Sequence, residues 1–470
     1  MVVGSLRQET DVVVVGAGPG GYVAAIRAAD LGREVVLIEE RDQLGGVCLI
    51  EGCIPSKALI TAVELAHTAR EAKQMGLTFE GLKVDHGALR AFAESVIGGL
   101  TKGVSGLLKK RGVEVIRGRA RFDGERALAL EGSDVAGIEF QHCVLATGSR
   151  PLTLPPAGDL PLWTSREALE LREIPGRLLV VGGGYIGLEL GLVYAGLGSK
   201  VTCVELLPQL LAGADADLVK FVERSCRKRF EAVMLGAKVV GVEKTSAGYA
   251  AMIEHEGETR QHEFDQVLVA VGRRPNTDDL WLEKAGLAPD ERGLMPVDEQ
   301  QRTKNPAVFA IGDITAGPGL AHKASREGKV AAGVIAGRPA AFDNVSVPAI
   351  VFTDPEVAWV GITEAEAKKD QRKVRLGKFP LSALGRARTI GRTDGMAKVI
   401  ADAESGLVLG VGIAGPHASE LIAGATLALE MAATIEDLSA TIHPHPTISE
   451  SIMEAAEAAE GLAVHIYARR

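Results

Sequence analysis

The sequence predicts an α/β protein made of two parallel-sheet units and a C-terminal α+β unit, and three observations carry that reading. An apolar strand at residues 12–15 runs into a glycine-rich turn and then a helix beginning near Tyr22. The same order of strand, turn and helix returns at residues 178–189. Beyond Gly337 the pattern changes to short alternating strands with one Ala-rich helix, which suits an α+β segment.

In the first copy Gly16 permits the tight turn, Gly18 lets the backbone approach a pyrophosphate, and Gly21 lets the helix pack on the strand. The helix N-terminus then faces the phosphates with its free N–H groups. A second strand, 35–38, ends at Glu39, whose carboxylate can accept hydrogen bonds from a ribose. The second copy repeats this with Gly182, Gly184 and Gly187, the neighbouring Ile186 and Glu189, a strand at 200–204, and Glu205. The acid follows the first glycine by 23 residues in both copies. A lone glycine pattern is weak, but two with matching strand, helix and acid spacing read as two Rossmann-like dinucleotide-binding domains. Glu205 repels a 2′-phosphate, and Leu206, Leu207 and Pro208 supply no Arg to hold one, so NAD is favoured over NADP at the second site.

Three short strands, 143–148, 266–272 and 308–313, end in glycine-containing turns that can return the chain to a nucleotide sheet. Asp313, at the end of the last, suits a cofactor hydroxyl, although alone it reads as a turn residue. Strand-like pieces at 349–353, 397–401 and 408–413 and a helix at 418–433 complete the C-terminal part. The expected division is a first nucleotide domain at 1–150, a second inserted at 151–277, a segment at 278–345 completing the first, and a final domain at 346–470.

A chain of 470 residues has room for about three domains of roughly 150 residues each. A hydrophobic content of 46% with 24% charged residues excludes a disordered chain. The net charge of −9 and the lack of basic runs interleaved with aromatics argue against a nucleic-acid partner, and no Cys–His spacing suggests a metal. Apolar runs such as 12–15 are far too short to span a bilayer. The first ten residues carry neither an apolar signal core nor an Arg-rich leader. A cytoplasmic protein is the expectation.

Five cysteines do not make a secreted disulfide framework, and Cys143, Cys203 and Cys226 are expected in cores. Cys48 and Cys53 stand apart, just downstream of the first glycine turn. Five residues amount to about 500° of helical rotation, leaving ideal-helix side chains roughly 140° apart. A bridge between them therefore needs a distorted helix start, and Gly52 and Pro55 suit one. Taken bare, the pair reads as two buried thiols. Beside a nucleotide turn it reads as a disulfide that exchanges electrons with a bound cofactor.

Together these motifs resemble the pyridine nucleotide-disulfide oxidoreductases over essentially the whole chain, and within them the branch that oxidises dihydrolipoamide. The resemblance rests on the runs 16–21, 45–57, 146–149, 182–189, 271–276, 310–313 with 320–322, 351–356 and 443–450. It implies that the first site binds FAD and the second NAD. It also implies that the last domain is a dimerisation domain, and that His445 and Glu450 of one subunit complete the active site of the other in a homodimer. By motif, Cys48 becomes the sulfur open to substrate and Cys53 the one against the flavin. Lys57 would lie near the flavin ring and pair with Glu189. Gly46, Ala120, Thr147, Gly148, Ser149, Asp313, Leu320, Ala321 and His322 join the implied FAD contacts, while Val239 and Gly272 flank NAD. The implied partner is the lipoyl domain of a 2-oxo acid dehydrogenase or glycine cleavage complex. Pro444 departs from the small residue usual between the two histidines.

The chemistry fits these residue types. A dithiol reduces a disulfide by thiolate attack, so a base must deprotonate the incoming thiol. His445 titrates near neutral pH, and Glu450 can fix its tautomer. The missing Arg after Glu205 disfavours the glutathione-reducing branch, and the absence of cysteine beyond Cys226 disfavours the mercury-reducing one. A non-catalytic assembly subunit would not need Cys48, Cys53 and His445, and a flavin transhydrogenase would not need the disulfide.

Overall fold

A computed structural model describes residues 7–467. The expectation about the first ten residues falls mainly outside that range. The chain forms two compact units, each assembled from separate stretches: residues up to 58, 86–152 and 272–343 in the first, and 59–85, 153–271 and 344 onward in the second.

The first unit is built on a sheet whose central strand, Arg7–Val15, pairs in parallel with Val35–Glu39 on one side and Gly137–Leu145 on the other. Glu114–Arg117 extends the sheet beyond Val35–Glu39, and Val308–Ala310 pairs in parallel with Gly137–Leu145. Val12, Val13 and Val14 are fully buried. That burial is why the strand reads as a continuous apolar run rather than an alternating one. Helices Pro19–Asp30 and Ala321–Ile335 share one core with that sheet, and they touch closely: a Cβ on Gly328 would lie 2.6 Å from Gly20 O. The segment read as strand at 143–148 divides into the end of Gly137–Leu145 and a separate strand, Ser149–Pro151. The latter forms an antiparallel ribbon with Arg273–Pro275, closed by Leu152 N–H donating to Gly272 O at 3.0 Å. The strand read at 308–313 stops at Ala310, because Gly312 at φ +78° turns the chain into a short 3-10 helix, Gly312–Ile314.

The second unit holds a four-stranded parallel sheet in the order Ala232–Leu235, Lys200–Glu205, Arg177–Val181, Gln266–Val269. A three-stranded antiparallel sheet spans Lys238–Thr245 to Glu258–Phe264. Its C-terminal part is a five-stranded antiparallel sheet in which Val408–Gly415 lies between Glu356–Gly361 and Met396–Asp402. Helices Ala418–Glu430 and Glu450–Glu460 cover it, the latter so closely that a Cβ on Gly377 would sit 1.8 Å from Ala455 O.

Compactness divides the chain differently from the expected boundaries. Residues 59–85 count with the second unit because helix Cys53–Glu71 runs on unbroken and its distal half packs on helix Tyr185–Leu197, where Gly196 leaves room for Val63. Stretches 153–271 and 344 onward count as one because Lys398, only 1% exposed, bonds Asp215 at 2.9 Å, Asp217 at 2.6 Å and Glu364 at 3.1 Å. The stretch Gly46–Met75 is long and apolar enough, by length and composition, to cross a bilayer. Counting uninterrupted apolar runs misses it, because its helices break at Gly52 and carry scattered charges.

Candidate active site

Each unit holds one glycine cradle, and the two are built alike. At the first, Gly16 has φ +98°, and a Cβ there would lie 2.4 Å from Ala146 O. One on Gly21 would lie 1.8 Å from Gly16 O. Gly18 differs, since its nearest neighbour would be Gly46 Cα at 4.0 Å. Helix Pro19–Asp30 starts there with no acidic residue in its first turn and no side-chain cap. Glu39, buried, accepts Ala17 N–H at 2.8 Å and Arg41 N–H at 3.1 Å, which ties the acid to the loop while leaving acceptor capacity on both oxygens.

The second cradle repeats each part. Gly182 has φ +110°, with a Cβ 2.4 Å from Ala270 O, and a Cβ on Gly187 would lie 2.0 Å from Gly182 O. Gly184 has nothing within 4 Å, and helix Tyr185–Leu197 begins without an acid or a side-chain cap. Glu205 accepts Gly183 N–H at 2.5 Å and Leu207 N–H at 2.8 Å. Close packing therefore requires four of these glycines, and the remaining two keep an open, N–H-lined space of the kind a pyrophosphate fills. The residues present fit two dinucleotides.

The cysteine run begins where the first cradle ends. Gly45 N–H donates to Ala17 O at 2.9 Å, and Gly46 at φ +59° presses on Gly18, where a Cβ would lie 2.6 Å from its Cα. Helix Gly46–Glu51 is then broken at Gly52 (φ −149°, ψ −113°), and helix Cys53–Glu71 starts afresh with Pro55 in its first turn. The break brings together side chains that an unbroken helix would separate. Both cysteines are free thiols, and their side chains share a hydrogen bond. That bond, burial and the charge of Cys53 push the Cys48 thiol far above its ordinary range, with Lys57 opposing. Cys53 stands at the start of its helix, where the N-terminal dipole favours a negative charge on sulfur. Cys48 is half-buried and Cys53 exposed, so exposure in the single chain does not make Cys48 the more accessible sulfur.

Around the first cradle, Ser149 Oγ donates to Asp313 Oδ2 at 2.5 Å, and Arg273 Nε donates to Ser149 Oγ at 2.8 Å. Thr147 and Asn276 exchange two hydrogen bonds at 2.8 and 3.0 Å, and Asn276 N–H donates to Gly148 O at 2.9 Å. Leu320 precedes helix Ala321–Ile335, whose first turn carries Ala321 and His322. Ala120 and Val239 are buried within hydrophobic cores, which leaves only their backbones for a ligand. In the second unit Glu189, 3% exposed, accepts Phe352 N–H at 3.0 Å, with Ile186 on the same helix. Lys57 belongs to the first unit and Glu189 to the second; Gly272 falls in the first.

His445 Nδ1 lies 2.7 Å from Glu450 Oε1, and Glu450 Oε2 accepts Thr447 N–H at 2.8 Å. Burial pushes the Glu450 carboxyl up, but the Thr447 N–H and His445 hold it below the usual carboxylate range. The His445 side chain is 77% exposed. It belongs to the second unit and the cysteines to the first.

Residues 10–328 match the pyridine nucleotide-disulphide oxidoreductase family. The chain belongs to that family. Residues 347–456 match the dimerisation domain of pyridine nucleotide-disulphide oxidoreductases, so the chain forms a homodimer. It is 48% identical to dihydrolipoyl dehydrogenase of Haloferax volcanii and 47% identical to that of Geobacillus stearothermophilus, each over 99% of both chains. Among solved structures, LpdA of Mycobacterium tuberculosis superposes with a TM-score of 0.87 at 29% identity, covering 96% of this chain and 99% of that one. The HOCl-induced flavoprotein disulfide reductase RclA of Escherichia coli gives 0.85 at 27%, covering 95% and 99%. As a pyridine nucleotide-disulphide oxidoreductase, the protein uses FAD and NAD.

Two features of the site are not legible as motifs. A buried pair, Lys323 and Glu327, grips Gly312 beside Asp313. The faint signal is two opposite charges one helical turn apart among Ala, Gly and Val. Arg273 holding Ser149 needs a pairing between segments more than a hundred residues apart, which no local pattern reports.

Proposed function

We propose that this enzyme oxidises dihydrolipoamide carried on a lipoyl domain and reduces NAD+, with Cys48 and Cys53 as its redox-active pair. The observation that carries this is the hydrogen-bonded thiol pair, set at a helix break against the first cradle. In the oxidised enzyme, His445 takes the proton of one substrate thiol, and the resulting thiolate attacks Cys48 Sγ. The Cys48–Cys53 bond breaks and Cys53 leaves as a thiolate. The second substrate thiol then attacks the mixed disulfide, releasing Cys48 and closing the substrate's own disulfide. What bound FAD supplies is two-electron transfer between the Cys53 side and NAD.

Gly16, Gly18, Gly21, Glu39, Gly46, Lys57, Ala120, Thr147, Gly148, Ser149, Asp313, Leu320, Ala321 and His322 are assigned to FAD. Gly182, Gly184, Ile186, Gly187, Glu189, Glu205, Val239 and Gly272 are assigned to NAD. Functionally, 1–150 with 278–345 forms the FAD domain, 151–277 the NAD domain and 346–470 the interface domain. His445 and Glu450 of one subunit serve the cysteines of the other. The apolar side chains of Leu427, Met431 and Ile442, all strongly exposed in the single chain, suit that interface. The partner is a lipoyl domain of a 2-oxo acid dehydrogenase or glycine cleavage complex, in the cytoplasm.

The purified protein should be yellow, and mild reduction should produce a long-wavelength absorption that Cys53→Ser alters. It should reduce NAD+ with dihydrolipoamide. A protein without bound flavin, or one whose Cys53→Ser variant keeps both the absorption and the rate, overturns the assignment.

A further inference from the structure

Asp313 follows a glycine held with unusual thoroughness. Gly312, at φ +78°, has its N–H bound to Glu327 Oε2 at 2.7 Å. Its carbonyl accepts from Lys323 Nζ at 3.3 Å and from Thr315 Oγ1 at 2.8 Å. Lys323 Nζ also bonds Thr315 Oγ1 at 3.0 Å and Glu327 Oε1 at 2.7 Å. Both charged side chains are 3% exposed. They project from helix Ala321–Ile335, whose other buried positions are Ala, Gly, Val and Ile.

Stability alone does not account for such a pair. Replacing a buried ion pair with apolar residues of similar volume is commonly neutral or stabilising, because desolvation offsets the attraction. What apolar residues cannot do is hold one residue by both its N–H and its C=O, and so fix the two peptide groups that flank it. The second of those peptide groups leads into Asp313, whose carboxylate is fixed from another side by Ser149 and, through it, by Arg273.

We propose that Lys323 and Glu327 are positioning residues for the flavin site: they fix the Gly312 turn and thereby aim the Asp313 carboxylate at the cofactor. The inference rests on Asp313 being an FAD contact. Neither side chain needs to touch the cofactor for this role. A misplacement of about 1 Å in a positioned group can cost on the order of 100-fold.

The test is the paired variant K323M/E327M, measured as apoprotein titrated with FAD. Thermal unfolding of the apoprotein should stay close to that of the parent. The FAD dissociation constant should rise about 10- to 100-fold, and the visible circular dichroism of bound flavin should change. A purely structural pair would move neither flavin readout, so parental values for both overturn the proposal. Asp313→Asn, titrated in parallel, separates the two premises. If it binds FAD as tightly as the parent, the assignment of Asp313 fails and the inference fails with it. If it binds weakly while K323M/E327M does not, the inference alone fails. Should the paired variant not fold, Thr315→Val decides, since it removes the hydroxyl shared by Lys323 and Gly312 while keeping the charges. About three- to tenfold weaker FAD binding is then expected, and an unchanged constant overturns the proposal.

Discussion

Replacing Glu450 with Gln removes the charge facing His445 while nearly keeping the side chain's shape. Glu450 makes two bonds, to His445 Nδ1 at 2.7 Å and from Thr447 N–H at 2.8 Å. Gln has the same shape but a single carbonyl acceptor; with that oxygen turned to His445, the histidine exchanges a charged partner for a neutral one, and Thr447 N–H is left to solvent. A hydrogen bond to a charged group contributes roughly 1.5–3 kcal/mol against roughly 0.5–1.5 for a neutral one. With His445 77% exposed in the single chain, solvent screening holds the difference near the lower end, about 1 kcal/mol. The expected fall in kcat/KM for dihydrolipoamide is therefore about five- to tenfold. His445→Gln removes the base itself and should cost about 100- to 10,000-fold. In the His445→Gln background, Glu450→Gln should add almost nothing, because the carboxylate would no longer have a base to orient. Since Glu450 is held below the usual carboxylate range, it stays charged from about pH 6 to 8, so its own titration adds nothing to the pH profile over that interval. Initial rates of NAD+ reduction for the four proteins, with melting curves to establish folding, provide the measurement. An equal loss in both backgrounds would place Glu450 outside the path through His445.

Three further outcomes are expected. Gly18→Ala should leave the apoprotein stable and weaken FAD about tenfold, whereas Gly16→Ala, with its Cβ 2.4 Å from Ala146 O, should destabilise the fold by about 1–3 kcal/mol; melting curves and FAD titration distinguish them, and equal behaviour of the two refutes the division of roles. Lys398→Met strands Asp215, Asp217 and Glu364 around an apolar chain and should cost about 3–5 kcal/mol in denaturant unfolding, and a loss near zero would mean that the carboxylates find other partners. Burial, with the charges of Asp354 and Glu356, pushes the Glu64 carboxyl up to about 7 against Arg392 and Arg229. The folded state then holds this proton more tightly than the unfolded one, so stability should fall as pH rises from the ordinary carboxyl value to about 7. Melting temperatures of Glu64→Gln should lack that fall, and an identical pH slope in parent and variant would show that Glu64 is not its source.

The nucleotide turns were legible because they depend on steric facts that only glycine satisfies. Gly16, Gly21, Gly182 and Gly187 each sit where a Cβ would strike a neighbour's carbonyl region, and the acids at Glu39 and Glu205 stand at the ends of buried strands. The helix break at Gly52 was legible for a related reason, since residues 48 and 53 can meet only if the helix is interrupted. Compact boundaries were not. Whether 59–85 joins one unit or the other depends on a contact between Val63 and Gly196, and whether 344 onward joins 153–271 depends on Lys398 reaching Asp215. Such contacts leave no periodicity in either segment. The same holds for Lys323 and Glu327, whose partner is a backbone group rather than a residue type.

The ribbon formed by Ser149–Pro151 and Arg273–Pro275 has an evolutionary consequence. Chain leaves the first unit after Leu152 and re-enters at Gly272, and those two residues are joined by a hydrogen bond of 3.0 Å. Along the chain, everything between is joined to its flanks at that one pair of strands, like a word placed inside parentheses. A gene could acquire, lengthen or exchange that passage without stretching the sentence around it, because the flanking strands already stand side by side. Such an arrangement is well suited to insertion, and it gives protein engineers a ready place at which to graft a different nucleotide-binding module onto the same flavin-binding frame.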